Sequence, residues 1–249
     1  MTLRLLDAGD AAFTIELGNS IDPGLLASVH ALDAAIAQEQ AAGRLPGLIE
    51  TMPTFRSLTV FYDPLVTRQQ TLLDTLKPLF DGADHATPIE GRRWRLPVCY
   101  EGELGLDLAT TAQTIGATED EVISLHSGTE VRVYMLGFLP GFPFMGDVPE
   151  RLRLPRRTQP RVRVPAGSVA IAGGLTAIYP WESPGGWHLL GRCPVPLFDA
   201  TREEPSLLSA GDSVRFEPVS HTEFLKMEAA SQAGEVDPTH WLADEQGAA

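Results

Sequence analysis

Cysteine is nearly absent: the 249-residue chain holds only Cys99 and Cys193. Two are too few for a disulfide framework, and their separation gives no metal-ligand spacing, so a reduced, cytoplasmic protein without a metal is expected. No apolar run approaches the roughly 20 residues needed to cross a bilayer, which leaves no expected membrane partner. The opening stretch Met1-Thr-Leu-Arg-Leu-Leu-Asp has one base, an early acid and no signal-peptide core. Internal repeats are missing, as is any glycine-rich phosphate loop of the Walker or dinucleotide type. Positive charge is also scarce, with 19 Lys and Arg against 33 Asp and Glu and a net charge of −14. A phosphate backbone would be repelled by that mean field, so general nucleic-acid binding is excluded.

The charge that is present is unevenly placed. From Glu150 to Arg163 there are six arginines and one acid, whereas the stretch from Glu217 onward has seven acids and only Lys226 as a base. A local basic patch in an acidic molecule suits a small anionic substrate or an acidic partner surface; a solvated basic strand is the plainer reading.

Hydrophobic patterning divides the chain. Phe13-Thr-Ile-Glu-Leu alternates as a strand does, and Asp22-Pro23 then opens a helix with an N-cap and a proline at its first position. Leu25, Leu26, Val29, Leu32 and Ile36 form its apolar face, and Gly43 ends it. Leu48–Met52 and Ser57–Tyr62 read as strands, and Thr67–Phe80 as a second amphipathic helix. This β-α-β-β-α order predicts a small split-βαβ, ferredoxin-like domain over residues 1–85. A breaker-rich linker follows at 86–92. Beyond it come a strand from Arg93, a helix capped by Asp107, and another opened by the Thr118/Glu121 capping box. Short strands cut by Gly and Pro, the pattern of a β-barrel, then complete a second domain over 93–220. A short helix near Thr222–Ser231 and a frayed acidic end fill 221–249.

Chemistry concentrates between Gly137 and Asp199. Gly137-Phe-Leu-Pro-Gly-Phe-Pro-Phe-Met-Gly combines restricted backbone with apolar bulk, so it can present amides and aromatic faces with little ordering entropy, or serve as a packed corner. Leu154-Pro-Arg-Arg-Thr-Gln-Pro-Arg holds Arg156 and Arg161 beside prolines, and arginine forks grip carboxylate or phosphate with two bonds. Val164-Pro-Ala-Gly-Ser-Val-Ala-Ile-Ala-Gly-Gly is a tight strand-turn unit of small residues. Gly185 and Gly186, between Trp181 and Trp187, can reach backbone conformations closed to other residues, so that amides exposed there could bind an anion; an ordinary hairpin turn is the plainer reading.

These ordered motifs, with Ile178-Tyr-Pro and Gly191-Arg-Cys-Pro-Val-Pro-Leu-Phe-Asp after them and Pro53-Thr-Phe-Arg-Ser-Leu-Thr-Val-Phe-Tyr-Asp-Pro before, resemble the family of 5-oxoprolinase B-type subunits. That family also covers proteins called allophanate hydrolase subunit 1 and Kip-type histidine-kinase inhibitors. The resemblance implies an α+β protein: a small ferredoxin-like N-terminal domain followed by a cyclophilin-like β-barrel. It further implies an ATP-dependent cyclic-amide hydrolase in which this chain works with the C-type and A-type 5-oxoprolinase subunits to open 5-oxo-L-proline to L-glutamate. The family's other members imply two alternatives, a regulatory protein that binds a sensor histidine kinase and a carboxyltransferase-type component acting on urea- or allophanate-like substrates. Leu175, Ala177 and Cys193 depart from the usual Gln, Gly and Thr, which bears on the substrate.

Candidate residues follow from that chemistry. Arg156, Arg161 and Arg192 would hold anionic groups, with Pro140, Gly141 and Phe142 in one loop and Gly185, Gly186 and Trp187 in another supplying amides and an aromatic wall. Arg161 and His126 are the candidates for direct catalysis, His126 because an imidazole titrates near neutrality; a histidine at a helix end can equally be structural. His188 is a weaker candidate, Cys99 reads as a small core residue, and Cys193 has no base near it in sequence.

Overall fold

In the computed structural model, which describes residues 3–83, 87 and 90–243, the chain divides into two units, Met1–Ile89 and Glu90–Ala249. The first contains β1 (Arg4–Asp7), β2 (Ala12–Glu16), α1 (Pro23–Ala41), β3 (Leu48–Pro53), β4 (Ser57–Tyr62) and α2 (Gln69–Ala83). The start of α1 obeys its local signal: the Asp22 carboxylate accepts the N–H groups of Gly24 and Leu25 at 2.8 and 3.0 Å. Its end does too, with Gly43 at φ +73° just past the last turn. The sheet order is β1-β2-β4-β3, antiparallel throughout. Thus β4 lies between β2 and β3, which is the split-βαβ arrangement. Phe13 and Ile15 face Val60 and Leu58 across the β2/β4 pairing and pack with Val29, Leu32, Leu72 and Leu76 of the helices. Strand β1 is not anticipated by the hydrophobic pattern because all four of its residues are exposed, so no burial alternation marks it. It occupies an edge, where pairing is needed on one side only.

The second unit begins with β5 (Arg93–Val98), a 3-10 turn at Gly102–Gly105, α3 (Leu108–Ile115) and α4 (Glu119–Ser127). Strands β6 (Glu130–Leu136), β7 (Pro143–Gly146), β8 (Arg161–Val164), β9 (Ser168–Ala172), β10 (Leu175–Ile178), β11 (Ser183–Gly185), β12 (His188–Arg192) and β13 (Ser213–Pro218) follow, then α5 (His221–Gln232). Seven strands form one sheet in the order β12-β9-β10-β7-β6-β13-β5, with β13 and β5 parallel and the other pairs antiparallel. Its two edges meet where Cys99 and Arg192 exchange backbone bonds of 2.9 and 2.8 Å, closing the sheet into a barrel. β8 and β11 form a separate two-stranded ribbon. The α+β class, a ferredoxin-like unit followed by a cyclophilin-like barrel, is therefore what these elements build.

Every residue of β9 is buried, and the two faces are covered differently. Val169 and Ile171 join the barrel interior with Leu96, Val133 and Phe216. Ala170 and Ala172 lie beneath a second cluster built on Phe142, Tyr179 and Trp187. The small side chains of the Val-Ala-Ile-Ala run are thus set by rings packed above them. Residues 86, 88 and 89 of the expected linker, and the expected frayed end at 244–249, lie outside the described residues.

Candidate functional site

Asp107, at the junction of the 3-10 turn and α3, is 3% exposed. It stands at the N-cap position but makes no capping bond, contrary to the expectation from its sequence position. Its Oδ1 accepts from Arg157 Nη1 and Arg161 Nη2, both at 2.7 Å, and its Oδ2 from Arg161 Nη1 and the Leu189 N–H, both at 2.8 Å. Burial alone would raise this carboxyl, but the Arg161 bonds, the Leu189 N–H and the two guanidinium charges outweigh it and hold it below the usual carboxylate range. One carboxylate facing two guanidiniums leaves the cluster with a net positive charge, anchored where a lone buried charge would be costly.

Next to this cluster is a cleft of about 310 Å³ lined by Thr114 of α3, the segment Leu154–Gln159 and His188 of β12. The segment is pinned at two points. The Arg157 N–H donates to Gly186 O at 2.8 Å, and His188 Nε2 lies 2.9 Å from Pro155 O. Since a carbonyl only accepts, His188 carries its proton on Nε2, and its buried Nδ1 has no partner among the described residues. The same is true of the buried Nε of Arg157. Arg156 is exposed and has no ion pair or hydrogen bond among the described residues.

The other expected site residues are distributed elsewhere. Arg192 lines a second cleft, about 190 Å³, where its Nε donates to Ala166 O at 2.9 Å and its Nη2 lies 3.8 Å from Glu228 of α5. Pro140 O accepts from Trp181 Nε1 at 3.3 Å. Gly141 has φ +75°, and a Cβ there would come within 2.8 Å of the Phe198 Cβ, so glycine is required by both conformation and space. The Phe142 N–H is already engaged by Leu139 O, and its ring packs edge-on to Tyr179 and Trp187 at 5.0 and 6.2 Å between centroids. Gly185 and Gly186 do not have positive φ. Gly185 pairs with Arg161 in the ribbon, and a side chain there would overlap the Tyr179 hydroxyl, so close packing rather than backbone freedom explains the glycine. Burial pushes the Tyr179 hydroxyl up to about 12, partly offset by the charges of Arg156 and Arg161.

His126 is buried in the barrel interior, stacked on Phe216 at 4.5 Å. Thr176 gives its hydroxyl proton to Ala170 O, so its oxygen accepts from His126 Nε2 at 3.0 Å. That leaves Nδ1 to accept from the Tyr100 hydroxyl at 2.8 Å. Both nitrogens are occupied, and burial lowers the imidazole to about 3. The arrangement is that of a neutral structural link between α4 and the barrel, without the open nitrogen that acid or base chemistry needs. Cys193 is also buried, its thiol pushed up to about 12 by desolvation. Sequence reasoning missed Asp107 as a clamp and Arg157 as its partner. The pairing spans 50 residues to Arg157 and 54 to Arg161, and no local pattern encodes it.

Residues 3–208 match the family described as carboxyltransferase domain, subdomain C and D. The B-type subunit of 5-oxoprolinase from Bacillus subtilis (strain 168) is 39% identical over 240 residues, covering 90% of this chain and 97% of that protein. The crystal structure of TTHA0988 superposes with a TM-score of 0.71 at 39% identity, covering 84% of this chain and 40% of that one, so this chain spans less than half of that longer polypeptide. The Kluyveromyces lactis urea carboxylase, 22% identical with a TM-score of 0.77 over 94% of this chain and 23% of its own, shares the fold. By its motifs, by its barrel and by identity along nearly the whole of a relative of similar length, the chain belongs to the family of 5-oxoprolinase B-type subunits.

Proposed function

We propose that this chain is the B-type component of an ATP-dependent 5-oxoprolinase and acts in the cytoplasm with the A-type and C-type subunits to open 5-oxo-L-proline to L-glutamate. The observation that carries its part in the chemistry is the Asp107 carboxylate holding Arg157 and Arg161 beside an open cleft. A lactam carbonyl is a poor electrophile. Phosphorylating its oxygen and then adding water both place negative charge near the reacting carbon. Fixed guanidiniums stabilise such charge without reorganising during the reaction. Both Nη groups of Arg161 are engaged by Asp107, so its role is to set the positive field, while Arg156 and Arg157 face the cleft. The ATP requirement is placed on the assembly, and this chain's residues are assigned to the organic anion. His126 is left out of proton transfer because of its closed, neutral surroundings.

The test is reconstitution. The purified chain alone should show no 5-oxoproline-dependent ATP hydrolysis, and adding the cognate A-type and C-type subunits should restore it. Silence of all three together with 5-oxoproline would sink the assignment and favour the kinase-binding or urea-type alternatives. Within the active assembly, Arg161→Ala should abolish turnover with the barrel still melting cooperatively; loss of the fold would make Arg161 structural.

A further inference from the structure

We infer that the cleft between α3 and the segment Leu154–Gln159 is a recognition site for one oxyanion of a small molecule, a carboxylate or a phosphoryl group. Its polar lining offers as donors the guanidiniums of Arg156 and Arg157, the hydroxyl of Thr158 and the amide N–H of Gln159. The Thr114 hydroxyl proton is already given to Thr110 O, and His188 contributes an acceptor, its Nδ1. Among the described residues, no acidic side chain lines it. The adjacent acid, Asp107, already accepts four N–H bonds, so it has little capacity left to compete for those donors. A chain with a net charge of −14 thus keeps a locally cationic hollow, which disfavours cations there and favours a small anion.

Two further features indicate a prepared site. The segment is held by the Arg157-to-Gly186 and His188-to-Pro155 bonds and bordered by Pro155 and Pro160, so binding there orders little backbone. The Arg157 Nε is buried with no acceptor among the described residues, an uncommon state for a charged donor, so the positive charge of this guanidinium is not fully matched by the protein beside the cleft. The volume of about 310 Å³ is at the low end for ligand pockets, which suits a single-ring acid or a phosphate. The identity of the natural acid rests on the 5-oxoprolinase reading, but the oxyanion chemistry of the cleft does not.

The experiment measures binding to the full chain by calorimetry and thermal shift with three probes: 5-oxo-L-proline, inorganic phosphate, and pyrrolidin-2-one, which keeps the lactam ring without the carboxylate. At least one of the two anions should bind, and pyrrolidin-2-one should not. Binding of 5-oxoproline alone assigns the cleft to the substrate carboxylate, and binding of phosphate alone to a transferred phosphoryl group. Arg156→Ala removes an exposed side chain and should weaken the bound anion about tenfold or more. Arg163→Ala, which removes a cation paired with Glu182 outside the cleft, should leave binding unchanged. Failure of both anions to bind, or affinity unaltered by Arg156→Ala, overturns the inference. If the reconstituted assembly turns over 5-oxoproline while the chain binds neither anion, the cleft assignment fails and the enzymatic reading stands. Binding by a chain whose assembly is silent has the opposite meaning.

Discussion

Asp107 and His126 show two ways of burying a titratable side chain. Asp107 keeps its charge because four donors surround it, and His126 gives its charge up because its neighbours are two hydroxyls and a phenyl ring. The second has a consequence for acid stability. An imidazole in the unfolded chain takes up a proton near 6.5, whereas the folded one does so only near 3. Between those values the unfolded state binds the extra proton, so stability is fully present above about pH 6.5 and falls as pH drops toward 3. The slope should approach about 1.4 kcal/mol per pH unit. Denaturant unfolding from pH 7 to pH 5 measures it, and the slope should shrink in His126→Gln. Equal slopes in the two proteins would show that the protonation lies elsewhere, for example at His30, which burial also lowers against the pull of Asp33. None of this could be seen in the sequence, where Leu-His-Ser at a helix end is compatible with either a catalytic or a structural imidazole.

Helices whose ends carry their own chemistry were legible along the chain. Asp22-Pro23, the Thr118/Glu121 box and Gly43 act within a few residues, and the structure uses each as expected. The Ser220/Glu223 box starts α5 in the same way, one residue before the expected helix. Elements defined by distant partners were not legible: exposed β1, the β8/β11 ribbon, and the clamp that takes Asp107 away from its capping role. Glycines divide similarly, since a turn glycine is recognisable but its reason is not. Gly167 and Gly173 both have positive φ, +78° and +60°. A Cβ on Gly173 meets nothing within 4 Å, whereas one on Gly167 would stand 2.5 Å from the Cys193 carbonyl oxygen. Alanine at either position should cost about 1 kcal/mol for conformation. Gly167→Ala should cost a further ~1–3 kcal/mol for displaced backbone. Chemical denaturation of the pair measures the difference, and equal losses would refute the close-approach explanation.

At the scale of the whole molecule, the two units have separate cores. Phe13, Leu32, Leu58 and Leu76 belong to the first, and among the described residues the barrel interior and the aromatic cluster draw only on residues after Glu90. A chain starting at Glu90 should therefore melt cooperatively and keep the oxyanion binding inferred for the full chain. A shortened chain without a cooperative transition would show that the barrel needs the first unit. The order of strands has a consequence for synthesis. β13 is the strand between β6 and β5, and its Ser213 pairs with Arg93, far back along the chain. As the polypeptide leaves the ribosome, the first unit can complete its sheet early, but the barrel has a gap until residue 218 has emerged. Over that interval β5 and β6 lack their shared neighbour, and the nascent chain depends on late residues to hide strand edges made early.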